Sequence, residues 1–152
     1  MAGGREFGYS GYDYMSFQVT ERTNGGVLVL ALAGRFVIGD AVEEFRQKVD
    51  AAIHAGQVKI GLDFGQTEYI DSSGMGYLVV AHRVVGDAGG KLGMFNLTDR
   101  VVDLMLLTKL SEVFHLYENE GDAVAGIEGG DVKRMDLIAY VQSKGENHEG
   151  GE

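Results

Sequence analysis

The sequence predicts an α/β fold, a central mixed β-sheet with helices packed mainly on one side. Three observations carry that prediction. Val58-Lys59-Ile60-Gly61-Leu62-Asp63-Phe64 places apolar residues with period two, as a strand does. Met75, Leu78, His82 and Val85 then recur at helical spacing, with Val79 and Ala81 widening the stripe. Strand-type runs come first in the chain and helix–strand alternation follows, an order that requires crossover connections and at least partly parallel pairing.

The 152 residues fit one domain with a real core. Glycine (24 residues, against no proline) crowds both ends, so residues 1–14 read as a flexible Gly/Tyr arm and 15–126 as the folded domain. Residues 127–152 read as an extension with a short helix and a frayed end. A formal charge of −10 without a basic stripe argues against nucleic-acid binding. No run of about 18 apolar residues is present for direct membrane insertion, and the first residues lack the apolar core of a secretory signal. With no cysteine there is no disulfide or thiolate chemistry, and a cytoplasmic location is expected. Homo-oligomerisation stays open.

Taken in order, Phe17 to Thr20 suits a short strand, and Asn24-Gly25-Gly26 a hairpin turn. Val27 to Leu32 is nearly all apolar, as in a strand covered on both faces, and Gly34 is expected to end it. Asp40-Ala41-Val42-Glu43 matches a capping box with Asp40 as N-cap. Val42, Phe45, Val49 and Ile53 make the buried stripe of a helix over about 40–54, stopped by Gly56. After the strand at 58–64, Asp71 and Ser72 stand at the N-cap of a helix that runs to about Val85-Gly86. Leu92 to Phe95 reads as a strand, Thr98-Asp99 as the cap of a helix carrying Val101, Val102, Met105 and Leu106, and Val113 to Leu116 as a last core strand. A short helix is expected at Ala123 to Ile127. Asp131 is expected to cap another, with Val132, Met135, Ile138 and Val141 on one side; whether it packs on the core, on a second copy or on a partner is open.

The motif search points away from catalysis. There is no phosphate-cradling Gly-x-x-x-x-Gly-Lys loop, no Gly-x-Gly-x-x-Gly after a strand and no Gly-x-Ser-x-Gly elbow. His54, His82, His115 and His148 are scattered, without metal-ligand spacing, and His54 and His82 read as helix-surface or half-buried imidazoles. No cofactor and no metal are expected, a carboxylate pair of Asp63 and Asp71 around an ion being the weak alternative. A small hydrolase with Ser72 as nucleophile and His82 as base is likewise a weak reading. Ser72 itself stands at the positive end of a helix dipole, where the helix would tolerate a phosphate on the hydroxyl.

Leu62-Asp63-Phe64 with Tyr69-Ile70-Asp71-Ser72-Ser73-Gly74-Met75-Gly76, followed by Gly89-Gly90-Lys91-Leu92, Asn96-Leu97-Thr98, Val101, Leu104 and Leu107-Thr108, resembles the STAS domain of bacterial anti-sigma factor antagonists. Ala33-Gly34-Arg35-Phe36 is similar to the end of that family's second strand, and the likeness spans roughly residues 15 to 125. It implies a STAS-like sheet and a non-enzymatic switch. Such an antagonist, when unphosphorylated, binds an anti-sigma factor that is also a serine kinase and so releases a sigma factor. The resemblance places phosphorylation on Ser72 and its reversal by a metal-dependent serine phosphatase. It places Asp71, Ser73, Gly74 and Met75 in the partner-binding region. STAS subunits of membrane lipid-transport ABC assemblies are the alternative within the family. Three positions depart from the pattern: Val37 where an acid is common (Asp40 lies three residues on), Thr98-Asp99 for a serine–proline, and Lys109 for a glycine at a helix end.

Overall fold

The structure is a computed structural model that describes the backbone of residues 16–150 and the side chains of residues 16–144. The arm expected over residues 1–14 and the side chains of the last eight residues lie outside the described residues. Strand β1 (Phe17–Asn24) turns at Gly25-Gly26 into β2 (Val27–Phe36), its antiparallel neighbour. Helix α1 (Asp40–His54) leads to β3 (Lys59–Asp63) and β4 (Thr67–Ile70). Helix α2 (Ser72–Asp87), β5 (Lys91–Phe95), α3 (Asp99–Leu107) and a 3-10 turn (Leu110–Glu112) precede the two-residue β6 (His115–Leu116). Helices α4 (Glu120–Ile127) and α5 (Leu137–Gly150) complete the described chain.

The sheet runs β1-β2-β3-β5-β6, antiparallel in the first pair and parallel elsewhere, so it is mixed as expected. Strand β2 is long enough to serve two partners in succession. Its first half pairs with β3 (Leu28 opposite Ile60), and its second half with β4 (Arg35 opposite Tyr69, Phe36 opposite Ile70). Gly34 therefore does not end β2, as expected from sequence, but kinks it. The register shifts there, its φ is +100°, and its N–H donates to the Gln66 carbonyl at 2.9 Å. Strand β4 was not anticipated, because Thr67-Glu68-Tyr69-Ile70 is short and half polar. Its buried Thr67 hydroxyl is satisfied by donating to the Leu32 carbonyl at 2.5 Å.

The alternation of β2 splits the core in two. Leu30 and Leu32 face α1, α2 and α3, meeting Phe45, Val49, Met75, Leu78, Val85, Val101 and Met105. Val27 and Val29 face the opposite layer, with Phe95, Tyr117, Ala123 and Ile127, so α4 covers that side, joined by Val132 from the segment that follows it. Helix α1 starts one residue earlier than a capping box on Asp40 requires. Gly39 (φ +108°) takes the N-cap place, and Asp40 is an exposed first-turn acid. The last core strand is shorter than Val113 to Leu116, because the chain is still turning at Val113, whose N–H donates to the Leu110 carbonyl.

Lys109 has φ +61°, the left-handed conformation that its place at a helix end called for. A side chain there is strained by about 1 kcal/mol relative to glycine. Lys109→Gly is expected to stabilise the protein by about that amount, read as a higher urea midpoint with an unchanged m-value.

The C-terminal extension packs on the core. It does not form a helix from Asp131; residues 131–136 have no regular secondary structure, and Met135 N–H reaches β6 by donating to the Leu116 carbonyl at 2.7 Å. Asp136 supplies the cap, its Oδ1 accepting from the N–H groups of Ile138 (3.1 Å) and Ala139 (3.2 Å). The inward residues are accordingly Leu137, Met135 and Tyr140, while Ile138 and Val141 are exposed. Arg134 Nη1 donates to His115 Nδ1 at 2.8 Å. Burial, with Lys91, Arg134 and His82 adding positive charge around it, pushes the His115 pKa from 6.5 down to about 4. The unfolded chain takes up that proton near pH 6.5 and the folded one only near 4. Stability is therefore expected to fall as pH is lowered through that window, and less steeply in Arg134→Gln, as followed by thermal melts across the range.

Candidate protein-interaction site

The chain leaves β4 at Ile70 and enters α2 at Ser72 through a single residue, Asp71, in extended conformation. Both carboxylate oxygens of Asp71 are used. Oδ1 accepts from Gly74 N–H at 2.8 Å, which caps α2, and Oδ2 accepts from Ile38 N–H at 3.1 Å, which ties down the β2–α1 loop. The Asp71 backbone closes the corner, its N–H on the Phe36 carbonyl (3.4 Å) and its carbonyl accepting from Met75 N–H (3.0 Å). Gly74 makes this close approach possible: a Cβ there would stand 2.4 Å from the Phe36 carbonyl oxygen. Ser72 is left exposed at the helix start, beside the Asp71 carboxylate that caps it.

The residues singled out from sequence thus fall into two groups. Ser72 is exposed and Ser73 half-buried, whereas Gly74 and Met75 (1 % exposed) lie beneath the surface and Asp71 works as a brace. Ser72 and its surroundings are what this conformation presents at the surface. Those surroundings were not read from the sequence. Ile38, whose backbone Asp71 holds, is 71 % exposed, and Leu107 at the end of α3 is 80 % exposed. Between Leu107 and the strand end lies an open cavity of about 570 Å³ lined by Tyr69, Ile70, Arg100 and Leu104. The guanidinium carbons of Arg35 and Arg100 lie 4.5 and 4.9 Å from the centre of the Tyr69 ring. The available signal for Ile38 was an apolar residue in a turn, and for Leu107 an apolar residue off the helix stripe.

Among the described residues the other chemistries considered from sequence are not assembled. His82 lies ten residues along the helix from Ser72, roughly 15 Å of rise, and its ring packs against Phe114 and His115. Asp63 is engaged with Arg22, Gly65 N–H and Asn96, away from the Asp71 corner. Among the described residues no three His, Asp or Glu side chains are placed to hold a metal ion, and no helix is long and apolar enough to cross a membrane.

The STAS domain profile matches residues 18–123, and the chain belongs to the STAS domain family. It is similar to an anti-sigma F factor antagonist of Paenibacillus polymyxa, 25 % identical over 115 residues, which covers 75 % of this chain and 97 % of that protein. An anti-sigma-B factor antagonist of Listeria monocytogenes is 32 % identical over 91 residues, covering 57 % of this chain and 80 % of its own. Among solved structures, an anti-sigma factor antagonist from Mycobacterium paratuberculosis superposes with a TM-score of 0.65 at 20 % identity, over 74 % of this chain and 95 % of that one.

Proposed function

We propose that this chain is an anti-sigma factor antagonist whose binding is switched at Ser72. Unphosphorylated, it binds an anti-sigma factor that is a serine kinase and so frees a sigma factor; phosphorylation of Ser72 ends the binding, and a metal-dependent phosphatase restores it. The relatives' names support the antagonist role. The observation that carries the switch is the seat of Ser72, an exposed hydroxyl on a helix start braced by Asp71 and closed by Gly74. Phosphorylation adds about −1.5 to −2 charge, which the helix N-terminus accommodates. The cost falls on the partner, which must bury or face a dianion beside Ile38 and Leu107. A loss of about 2.8 kcal/mol is a hundredfold in affinity, enough to run a switch.

The test is a paired capture from lysate of the native host with Ser72→Ala and Ser72→Glu baits, the bound proteins being identified by mass spectrometry. A serine-kinase-type ATPase held by the alanine bait and lost by the glutamate bait is the expected result. Equal recovery of a transporter ATPase on both baits contradicts it and makes Ser72 only a helix residue.

A further inference from the structure

We propose that the cavity between the end of α2 and the strands β5 and β6 binds a small oxyanion of the phosphate or sulfate type. Its ligands are Arg83, Lys91 and the imidazoles of His82 and His115. The cavity is open, measures about 340 Å³, and lies at the end of α2 away from Ser72. Leu92 is the one large apolar side chain among the lining residues, and it is buried at 1 % exposure. Such a wall gives an apolar ligand little to bury against, while it brings cationic and N–H groups to one space. The chain as a whole carries a formal charge of −10, yet only Asp87 among the lining residues is acidic.

Each donor can be traced. Arg83 is exposed and makes no hydrogen bond or ion pair among the described residues. The half-buried Lys91 donates one N–H to the Gly126 carbonyl at 3.1 Å and keeps the others. Arg134 Nη1 donates to His115 Nδ1 at 2.8 Å, so the His115 proton stands on Nε2. The His82 ring lies 5.5 Å from the His115 ring, and its Nδ1 is buried without a partner among the described residues. A buried polar atom in that position is costly unless something bonds it, and an oxyanion accepts from the Nδ1–H tautomer. The charge balance around His115 agrees. Burial, then Lys91 on β5, Arg134 on the following segment and His82 on α2 hold its pKa down at about 4, and no carboxylate offsets them. An anion relieves that excess. Arg134 lies beyond residue 123, where the family match ends, so the site ties the extension to the domain through His115.

The test titrates the full chain with sodium sulfate at neutral pH, against sodium chloride at matched ionic strength, and follows the histidine ring resonances by NMR. Saturable shifts of His82 and His115 with His54 unmoved are expected, together with a higher melting temperature. Arg83→Gln, an exposed change, is expected to weaken binding by at least about tenfold, and Lys91→Gln likewise. Lys48→Gln removes a cation that pairs with Glu21 and does not line the cavity; it is the control and is expected to bind as the wild type does. A parallel titration with sodium phosphate tells which oxyanion binds more tightly. Shifts that grow without saturation, that chloride reproduces, or that survive Arg83→Gln unchanged overturn the proposal. If Lys91→Gln fails to fold, Arg83→Gln decides alone.

Discussion

Replacing Gly74 by alanine is expected to destabilise the protein by about 2–3 kcal/mol, the usual cost of forcing a methyl into a filled space. The added Cβ would meet the Phe36 carbonyl oxygen at 2.4 Å, a Phe36 ring carbon at 3.0 Å and Ile70 Cγ1 at 3.2 Å. None of these can step aside cheaply. The carbonyl accepts the Asp71 N–H, and the fully buried Phe36 ring is stacked on Phe17 and set edge-on to Phe45. The start of α2 must therefore lift, and the Asp71 bonds to Gly74 and Ile38 loosen with it. Gly76, two residues on in the same helix, is the internal control. A Cβ there meets nothing within 4 Å, so Gly76→Ala is expected to stabilise by about 1 kcal/mol through helix propensity alone. Urea denaturation of the two variants separates the effects, which have opposite sign.

The double change Ile38→Asp with Leu107→Asp is expected to weaken binding of the captured kinase by about a hundredfold or more, as loss of central apolar anchors does. Both side chains are largely in solvent in the free protein, so thermal stability is expected to stay within about 0.5 kcal/mol of wild type. Binding measured by calorimetry beside a melting curve distinguishes a lost contact from a lost fold. A variant that melts normally and binds normally would remove these two residues from the partner surface. Ile38 depends on Asp71 for its position, so Asp71→Asn, which keeps the shape and weakens the bond to Ile38 N–H, is expected to lower affinity less than the double change.

Much of the architecture was legible because period and capping agreed. The stripe of Phe45 and Val49 in α1 and that of Met75, Leu78 and Val85 in α2 are buried, and Thr98 caps α3 as its side chain accepts from Val101 N–H. What escaped depended on contacts between distant residues. Strand β4 exists because β2 outlasts β3 and leaves a second half to be paired, which no local pattern in Thr67–Ile70 announces. In the extension Val132 and Met135 pack inward as expected, but Asp136 rather than Asp131 caps the helix, which leaves Ile138 and Val141 exposed. The serine was legible from its motif, as was the helix start beneath it. Its surroundings were not, since Ile38, Tyr69 and the pair Arg100 and Leu107 come from three separate elements or loops that only the fold brings together.

The most direct measurement of the switch is a titration of the captured kinase with two forms of this protein, one carrying phosphoserine at position 72 and one unmodified. Their hydrogen-exchange profiles would be recorded alongside. The expected result is a hundredfold or greater difference in Kd, on the order of 2.8 kcal/mol, with core exchange in β2, β3 and β5 the same in both forms. Equal affinity of the two forms for that kinase would contradict the account, because the phosphate would then sit at Ser72 without being read.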